Sequence, residues 1–406
     1  MKQIEGGITA PKGYRASGVW CGIKKKSLDM TVLFSDVPAQ AAGAFTRNIV
    51  RAAPVEWDSR IITSGKPVRA VVVNSGNANA CTGAQGMKDT SAMAEMLAAE
   101  AGITADEVLV CSTGVIGVPM PMQKTAQGIK DAFRALGTSP DDASRAAQAI
   151  LTTDTFVKEY AVEIDIKGTS VRIAGIAKGS GMIHPNMATM LSFILTDAGL
   201  EEGLLQKLLG ASIEDSYHMI SVDGDTSTND TVLALANGCS GAPVITEGSP
   251  ELRTFKEAFD AVNSYLARQI VLDGEGATKC IEVSVTGACS KEDARAAAKS
   301  VITSNLVKTA LFGEDANWGR ILCAMGYSGA SFDPSKAKLQ IESSAGSLLL
   351  LEQGSPVAFD EDEAKRVLKE RDICIKVTLQ DGSSEAAAWG CDLSYEYVRI
   401  NGEYRS

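Results

Sequence analysis

The pattern of hydrophobic and polar positions along the chain predicts a mixture of helices and strands. Segments with helical periodicity alternate with short apolar runs, and one helix is marked by Ser290 followed three residues later by Asp293, the arrangement of an N-cap. Helices are predicted over 87–102, 140–151, 200–213, 250–268, 290–302 and 360–370. Strands are predicted at Val71–Val73, Val108–Cys111, Val162–Ile166, Leu191–Leu195, Ile281–Val285 and Ile373–Leu379.

The order of these elements favours one fold class. Helices and strands follow one another irregularly, without the regular strand–helix–strand alternation of a doubly wound parallel sheet. This order predicts an α+β protein in which sheets and helices form layers. No repeat, low-complexity tract or Pro/Ser-rich linker divides the 406 residues. We therefore expect one interlocked architecture, in which residues around 280–406 could form a second lobe.

Composition and charge exclude several classes of protein. Hydrophobic residues make up 45% of the chain and charged residues 22%, as in ordinary globular proteins. The net charge is −11 and the longest basic run is Lys24–Lys25–Lys26, so nucleic acid is not an expected partner. No secretion signal is evident, and polar residues and Pro interrupt the longest uncharged segments, so a soluble, cytoplasmic protein without a membrane partner is expected. Nine scattered cysteines without a CxxC pair favour reduced thiols.

Two loops superficially resemble ligand-binding motifs. Asp223–Asp230 is rich in acidic residues like a calcium loop, but Thr228 replaces the required Gly and Ala234 the required Glu. A turn held by side-chain hydrogen bonds is the simpler interpretation. Asp273–Lys279 is rich in glycine, but its spacing matches neither a P-loop nor a dinucleotide-binding loop. The sequence therefore predicts no metal site and no nucleotide fingerprint.

The histidine content argues against a conventional hydrolase triad. The chain has two histidines, His184 and His218, and neither lies near a nucleophile motif such as GxSxG. His218 is expected at the surface or the edge of the core. His184 lies beside the most unusual segment of the sequence, where an imidazole could titrate near neutral pH.

That segment, Lys178–Leu191, has the composition of a self-cleaving turn. Glycines, Ser, Pro and Asn lead to the pair Ala188–Thr189 directly before a predicted strand. A Thr hydroxyl can attack the preceding carbonyl when the peptide is held in a strained turn with small neighbours. Cleavage would give Thr189 a free α-amine next to its own hydroxyl, so nucleophile and base would lie on one residue. Taken alone, however, the pair is explained more simply by an ordinary strand that starts with a β-branched residue.

Together with other blocks, this segment resembles the ornithine acetyltransferase (ArgJ) family of arginine biosynthesis. Lys178–Met182 and Pro185–Leu191 are similar to the family's self-processing segment, and the resemblance runs in family order from near residue 5 to the end. The other matching blocks are Asn74–Gly83, Ser112–Gly117, Thr152–Thr155, Asp223–Asp230, Asp273–Lys279 and Asn317–Arg320. As a set these blocks are far more specific than any one motif.

The resemblance implies a fold and a mechanism. The fold would be a layered α/β sandwich of the DmpA/ArgJ-like type, cleaved between Ala188 and Thr189 into an α chain, 1–188, and a β chain, 189–406. The family carries acetyl on the threonine that matches Thr189, taking it from N2-acetylornithine and giving it to glutamate. The free amine of Thr189 would be the general base.

The resemblance also implies the remaining site residues. Thr113 and Gly114 correspond to the family's oxyanion hole, where backbone N–H groups and a hydroxyl can stabilise a tetrahedral oxyanion. Lys178 suits a substrate carboxylate and Glu275 a substrate ammonium. No metal or prosthetic group is implied, and two α/β pairs are expected to form a heterotetramer. The family's substrate contacts correspond to Thr152, Lys178, Thr189, Glu275, Asn401 and Ser406.

Two departures and three alternatives accompany the resemblance. Val157 stands where relatives often have Pro before the lysine, and the chain ends in Ser406 where a final Thr is frequent. Some relatives also acetylate glutamate directly from acetyl-CoA, but no coenzyme A motif can be recognised in this sequence. A self-processing amidohydrolase or aminopeptidase would use the same nucleophile without an acceptor. A non-catalytic binding protein would keep its chain uncut.

Overall fold

The computed structural model describes residues 1–184 and 190–403. The strands are β1 (Lys2–Gln3), β2 (Tyr14–Val19), β3 (Met30–Phe45), β4 (Val68–Asn77), β5 (Val108–Val115), β6 (Lys158–Ile166), β7 (Thr169–Lys178), β8 (Leu191–Thr196), β9 (Ile220–Ser221), β10 (Thr231–Ala236), β11 (Cys280–Ala288), β12 (Lys338–Ser343), β13 (Gly346–Glu352), β14 (Ser355–Pro356), β15 (Asp372–Thr378) and β16 (Ser384–Cys391). The helices are α1 (Ala53–Thr63), α2 (Gly83–Ala101), α3 (Met122–Arg134), α4 (Pro140–Ala149), α5 (Leu204–Glu214), α6 (Glu251–Leu272), α7 (Lys291–Thr303), α8 (Asn305–Phe312), α9 (Trp318–Gly326), α10 (Glu361–Leu368) and α11 (Tyr395–Glu403).

The described residues form two sheets. The first has the strand order β1-β6-β7-β8-β10-β3-β4-β5, with β2 paired to β3. Its long strand β3 joins two halves, because the end near Phe45 pairs with β10 and the end near Met30 pairs with β4. The second sheet has the order β14-β13-β12-β15-β11-β16-β9 and draws most of its strands from residues 280–391.

The layers follow from the alternation of side chains along the strands. Leu191, Phe193 and Leu195 of β8 pack into a first core that is shared with β4, β5 and helices α1 to α4. Ile194 points the other way, into a second core with helices α5 and α6. A third core lies between the second sheet and helices α7 to α10. The result is the layered α+β architecture expected from the sequence.

The predicted elements are present, with corrections at some of their ends. The helix expected over 200–213 begins at Leu204, because Gly203 has a left-handed φ of 79°. The strand expected to reach Leu379 ends at Thr378, and the helix expected over 140–151 ends at Ala149. The start of α7 is confirmed, since the Ser290 side chain accepts a hydrogen bond from the backbone N–H three residues on. None of the helices in the described part of the chain is long and apolar enough to cross a membrane.

Candidate active site

A cleft with an empty volume of about 630 Å³ lies where β5 and β7 end. Its lining residues come from seven separate parts of the chain, and six of these residues correspond to site residues expected from the sequence. These six are Thr113, Gly114, Thr152, Lys178, Glu275 and Asn401. Further lining residues are Ala78, Ile116, Thr153, Gly181, Met182, Ser227, Thr228 and Asn229.

Three of the expected site residues lie outside the described residues. These are Ala188, Thr189 and Ser406. The first residue described after the gap is Met190, which is buried and donates its backbone N–H to Asp230 Oδ1 at 3.0 Å. The backbone carbonyl of Met190 accepts a bond from Thr231 N at 3.1 Å. The start of β8 is thus held against the loop that precedes β10.

The turn at the end of β5 can be formed only with glycine at its bend. Gly114 has a φ of 134°, and a Cβ on it would lie 2.3 Å from the backbone carbon of Gly76 on the neighbouring strand β4. The strand register shifts at this point. Asn229 holds the two strand ends from the side, because its Nδ2 donates to Ala78 O at 2.6 Å and to Ser112 O at 2.8 Å. The backbone around Thr113 and Gly114 is therefore fixed where it lines the cleft.

A buried ionic network supports the floor of the cleft. Lys158 Nζ lies 2.7 Å from Asp154 Oδ1 and 2.5 Å from Asp273 Oδ2, and these side chains are almost wholly buried. Asp273 also accepts from Thr155 N, and Asp154 accepts from Gly179 N at 2.7 Å. One lysine and two carboxylates thus join the loop after α4, the end of β7 and the loop after α6. Removing the lysine would leave two buried carboxylates without their shared cation.

Lys178 places a cation beside this network. Its Nζ is 4.0 Å from Asp154 Oδ2, and its side chain is 3% exposed. Burial lowers the pKa of Lys178, and the nearby Asp154 opposes that shift. Burial alone would raise the pKa of Asp154, but Lys178 and Lys158 lower it to about 2. Asp154 is therefore anionic at neutral pH.

Glu275 places a carboxylate on another wall of the same cleft. Its Oε2 accepts a hydrogen bond from Asn401 Nδ2 at 2.8 Å, which ties helix α11 to the cleft. Its backbone N donates to Ser180 O at 3.0 Å. A Cβ at position 181 would lie 2.4 Å from the Glu275 carboxyl group, so the glycine there makes room for it. Lys178 and Glu275 give the cleft one cationic and one anionic wall, which matches the charges of an amino acid.

His184 and the acidic loop lie beside the cleft in supporting contacts, whereas His218 contacts helix α5. His184 Nδ1 is 3.2 Å from Ser221 Oγ, and burial, with a smaller effect of Lys299, lowers the pKa of His184 to about 4. His218 Nδ1 lies 3.1 Å from Glu214 Oε1. Asp223 accepts the backbone N–H groups of residues 182 and 183 at 2.5 and 2.9 Å. Within 1–184 and 190–403, no three His, Cys, Asp or Glu side chains are placed to hold a metal ion.

Sequence reasoning assigned no role to several residues that build this site. Asp154, Lys158, Asp273, Asn229 and Asp230 all hold cleft segments in place. The motifs that contain four of them were recognised as family blocks, but Asp273, Asn229 and Asp230 bond to partners 40 to 151 positions away. The short spacing between Asp154 and Lys158 is the one local feature of their contact, and nothing in the sequence marked it as part of the site.

The family model described as "ArgJ family" matches residues 15–406. The chain belongs to the ArgJ family. It is 52% identical over 406 residues to the arginine biosynthesis bifunctional protein ArgJ of Caldanaerobacter subterraneus subsp. tengcongensis, with full coverage of both chains. It is also 52% identical over 397 residues to the ArgJ protein of Thermotoga neapolitana, covering 98% of this chain and 99% of the relative.

A solved ArgJ structure agrees with this assignment. The crystal structure of ArgJ from Bacillus halodurans matches 53% of this chain and 100% of its own chain, with 46% identity and a TM-score of 0.51. The resemblance and the fold class expected from the sequence are confirmed. The protein is accordingly an ArgJ acyltransferase, an enzyme of arginine biosynthesis.

Proposed function

We propose that this ArgJ enzyme cuts its own chain between Ala188 and Thr189 and then moves acetyl from N2-acetylornithine to glutamate through an ester on Thr189. One observation carries the proposal. Lys178, which lines the cleft with Glu275 and the Gly114 turn, is paired with Leu191, the first residue of β8, and Leu191 follows Thr189 by two positions.

Self-cleavage would begin with attack of Thr189 Oγ on the carbonyl carbon of Ala188. The acyl group passes from nitrogen to oxygen, and water then hydrolyses the ester, which leaves a carboxylate on Ala188 and a free amine on Thr189. The length of a solved relative supports this step. The Bacillus halodurans chain corresponds over its whole length to 53% of this chain, and residues 189–406 likewise make up slightly more than half of it.

Acetyl transfer would use the new amine as the general base. The α-amine of Thr189 takes the proton of Thr189 Oγ as the oxygen attacks the acetyl carbonyl, and ornithine leaves as the protonated amine. In the second half of the reaction, the amine of glutamate takes the acetyl group from the ester on Thr189. Thr113 and Gly114 would donate hydrogen bonds to the oxyanion of both tetrahedral intermediates. Loss of one such donor typically costs ~10²–10³ in rate.

The two charged walls would orient the substrates. N2-acetylornithine carries an α-carboxylate and a free side-chain ammonium, which are suited to Lys178 and Glu275 respectively. Thr152, Asn401 and Ser406 would add neutral hydrogen bonds that reject substrates without matching groups. The proposed chemistry needs no metal or prosthetic group, because nucleophile and base lie on one residue.

Two further features belong to the proposal. The name of the Caldanaerobacter relative describes a bifunctional protein, which supports a second reaction in which acetyl-CoA acetylates glutamate directly through the same threonine. Two α/β pairs would assemble into a heterotetramer.

Intact mass of the purified protein tests the cleavage. Wild type should give two polypeptides that divide at Ala188–Thr189, and Thr189→Ala should give one uncut chain with no transfer. Thr169→Ala, at the far end of β7, is the matched control and should be cut and active. An uncut Thr189→Ala chain with normal turnover would refute the mechanism.

The acceptor requirement tests the transfer. Acetylornithine should be consumed only when glutamate is present, with one acetylglutamate formed for each ornithine released. Consumption at the same rate without glutamate would instead identify a hydrolase.

A further inference from the structure

The loop that joins β2 to β3 carries a cluster of positive charge on an otherwise acidic protein. Lys25 and Lys26 are exposed, and among the described residues no acidic side chain lies within ion-pair distance of either lysine. Trp20, at the start of the same loop, is 56% exposed. Because the whole chain has a net charge of −11, a run of three lysines beside an exposed indole is a local exception. We call residues 20–29 the lysine loop.

The lysine loop is held in a fixed shape. The buried carboxylate of Asp29 accepts the backbone N–H groups of Cys21, Gly22 and Lys24 at 2.7, 3.1 and 2.9 Å. Trp20 Nε1 donates to Lys24 O at 2.8 Å, which fixes the indole over the loop. The lysines are thus presented by an ordered backbone, so little conformational entropy is lost when the loop binds a ligand.

A fourth lysine and a surface hollow adjoin the loop. Lys124 Nζ donates to Gly22 O at 2.8 Å. A Cβ on Gly22 would lie 3.7 Å from Trp20 Cζ2 and 3.8 Å from Lys124 Nζ, so the indole edge and this ammonium flank one point. A shallow, open surface hollow is lined by Pro121, Met122, Gln123 and Lys124. An aromatic surface, a hollow and several cations therefore meet at this loop.

The lysine loop also touches the walls of the catalytic cleft. Lys24 Nζ donates to Leu151 O at 2.8 Å, and the next residue, Thr152, lines the cleft. A Cβ on Gly76 would lie 2.9 Å from Lys24 Cγ, and Gly76 is paired in register with Gly114. The loop thus packs behind the turn that is proposed to stabilise the oxyanion.

We propose that the lysine loop binds the nucleotide end of a coenzyme A thioester. Lys25, Lys26 and Lys124 would contact the phosphates, and the exposed face of Trp20 would stack on the adenine. The thioester end could then enter the cleft past Lys24. This inference rests on the acetyl-CoA reaction proposed above and deepens it, because acetylornithine carries no phosphate and does not need the loop.

Calorimetric titration of the whole mature enzyme, with both polypeptides present, tests the binding site without turnover. Coenzyme A should bind wild type, and Lys25→Glu combined with Lys26→Glu should weaken that binding about tenfold or more. Trp20→Ala should weaken it roughly tenfold through the loss of stacking. The matched control is Lys365→Glu with Lys369→Glu, two exposed lysines of the α10 region, and should bind like wild type.

The choice of titrant identifies the source of the phosphate groups. Dephospho-coenzyme A should bind more weakly than coenzyme A, because it lacks one phosphate. Inorganic pyrophosphate should bind far more weakly still, because it offers no base to Trp20. Equal affinity for pyrophosphate and coenzyme A, or unchanged coenzyme A binding in the Lys25/Lys26 double variant, would overturn the proposal.

Kinetics separate this inference from the proposed function. In the Lys25/Lys26 variant the KM for acetyl-CoA should rise about tenfold, while the rate from acetylornithine changes less than twofold. If wild type binds coenzyme A through the loop but forms no acetylglutamate from acetyl-CoA, the second reaction is wrong and the binding site stands. If both donors lose activity equally in the variant, the loop has a general structural role and the inference is wrong.

Discussion

At the scale of single residues, Gly114 shows how backbone geometry limits the site. Its φ is 134°, and a Cβ added to it would lie only 2.3 Å from the backbone of Gly76, which leaves no room for a side chain. We expect Gly114→Ala to lower kcat by ~10²-fold or more and to lower the melting temperature, because the strand ends must separate. Gly117→Ala is the control, since that residue also has a positive φ but no atom within 4 Å of its Cβ position. If kcat and the melting temperature fell equally in both variants, the positive φ alone, and not the contact with Gly76, would explain the effect.

Lys158 shows the cost of a buried charge that loses its partner. Lys158→Met would leave Asp154 and Asp273 buried without the cation they share, and we expect the free energy of unfolding to fall by about 3–5 kcal/mol. Lys256→Met removes an exposed lysine paired with Asp260 and should cost less than about 1 kcal/mol. Urea unfolding in the Thr189→Ala background, in which the chain is expected to stay whole, measures both values. A similar fall in the free energy of unfolding for the two variants would contradict the stabilising role of the buried network.

The low pKa of Asp154 predicts a dependence of stability on pH. The folded-state pKa of about 2 lies below the ordinary value of 3.8, so the unfolded chain binds the proton more tightly. The contribution of Asp154 is therefore complete above about pH 4 and is lost as the pH falls toward 2. Asp154→Asn should be less stable than the parent at pH 7, and the gap in melting temperature should narrow between pH 4 and pH 2. A gap that stays constant over this range would argue against an ionised Asp154.

At the scale of elements, the sequence predicted the helices and strands whose ends are marked by residues close together in the chain. Ser290 begins α7 as expected, because a cap needs one hydroxyl and one nearby N–H. The start of α5 was placed too early, because periodicity does not reveal the left-handed φ of Gly203. Strand β3 was not predicted, since Asp36 and Pro38 interrupt its apolar run where the strand register shifts.

In the candidate site too, the sequence indicated individual residues but not the contacts between distant parts of the chain. Lys178 and Glu275 were expected because each lies in a block that resembles the ArgJ family, and both line the cleft. The contact of Lys158 with Asp273, 115 residues away, has no counterpart in local sequence and depends on how the sheets and loops pack.

The cap of α7 can be tested at this scale. Ser290→Ala removes the acceptor for the N–H of Asp293, and we expect it to lower the free energy of unfolding by about 1 kcal/mol. Ser383→Ala changes an exposed serine outside any helix and should be nearly neutral. Urea unfolding of the uncut Thr189→Ala chain carrying either substitution gives the comparison. A neutral Ser290→Ala would mean that water replaces the lost bond without cost.

At the scale of the whole molecule, the proposed cut falls between two strands that are neighbours in one sheet. β7 precedes the cut and β8 follows it, and the whole of β8 is paired antiparallel with the second half of β7. β10, also after the cut, pairs with β3. We expect the two polypeptides to elute together from a sizing column without denaturant and to separate in concentrated urea. Separation of the fragments in native buffer would contradict this pairing.

The pairing of β7 with β8 also implies that the sheet must assemble before the chain is cut. While the backbone is continuous, the connecting segment keeps the two strands at a high effective concentration, and assembly of the sheet is an intramolecular event. After scission the same assembly becomes a bimolecular encounter between partners that each expose a sheet edge. A mature enzyme that has been taken apart should therefore recover poorly on dilution, whereas its precursor recovers well. Cleavage would therefore make unfolding effectively irreversible, so each copy would have to fold before it is cut.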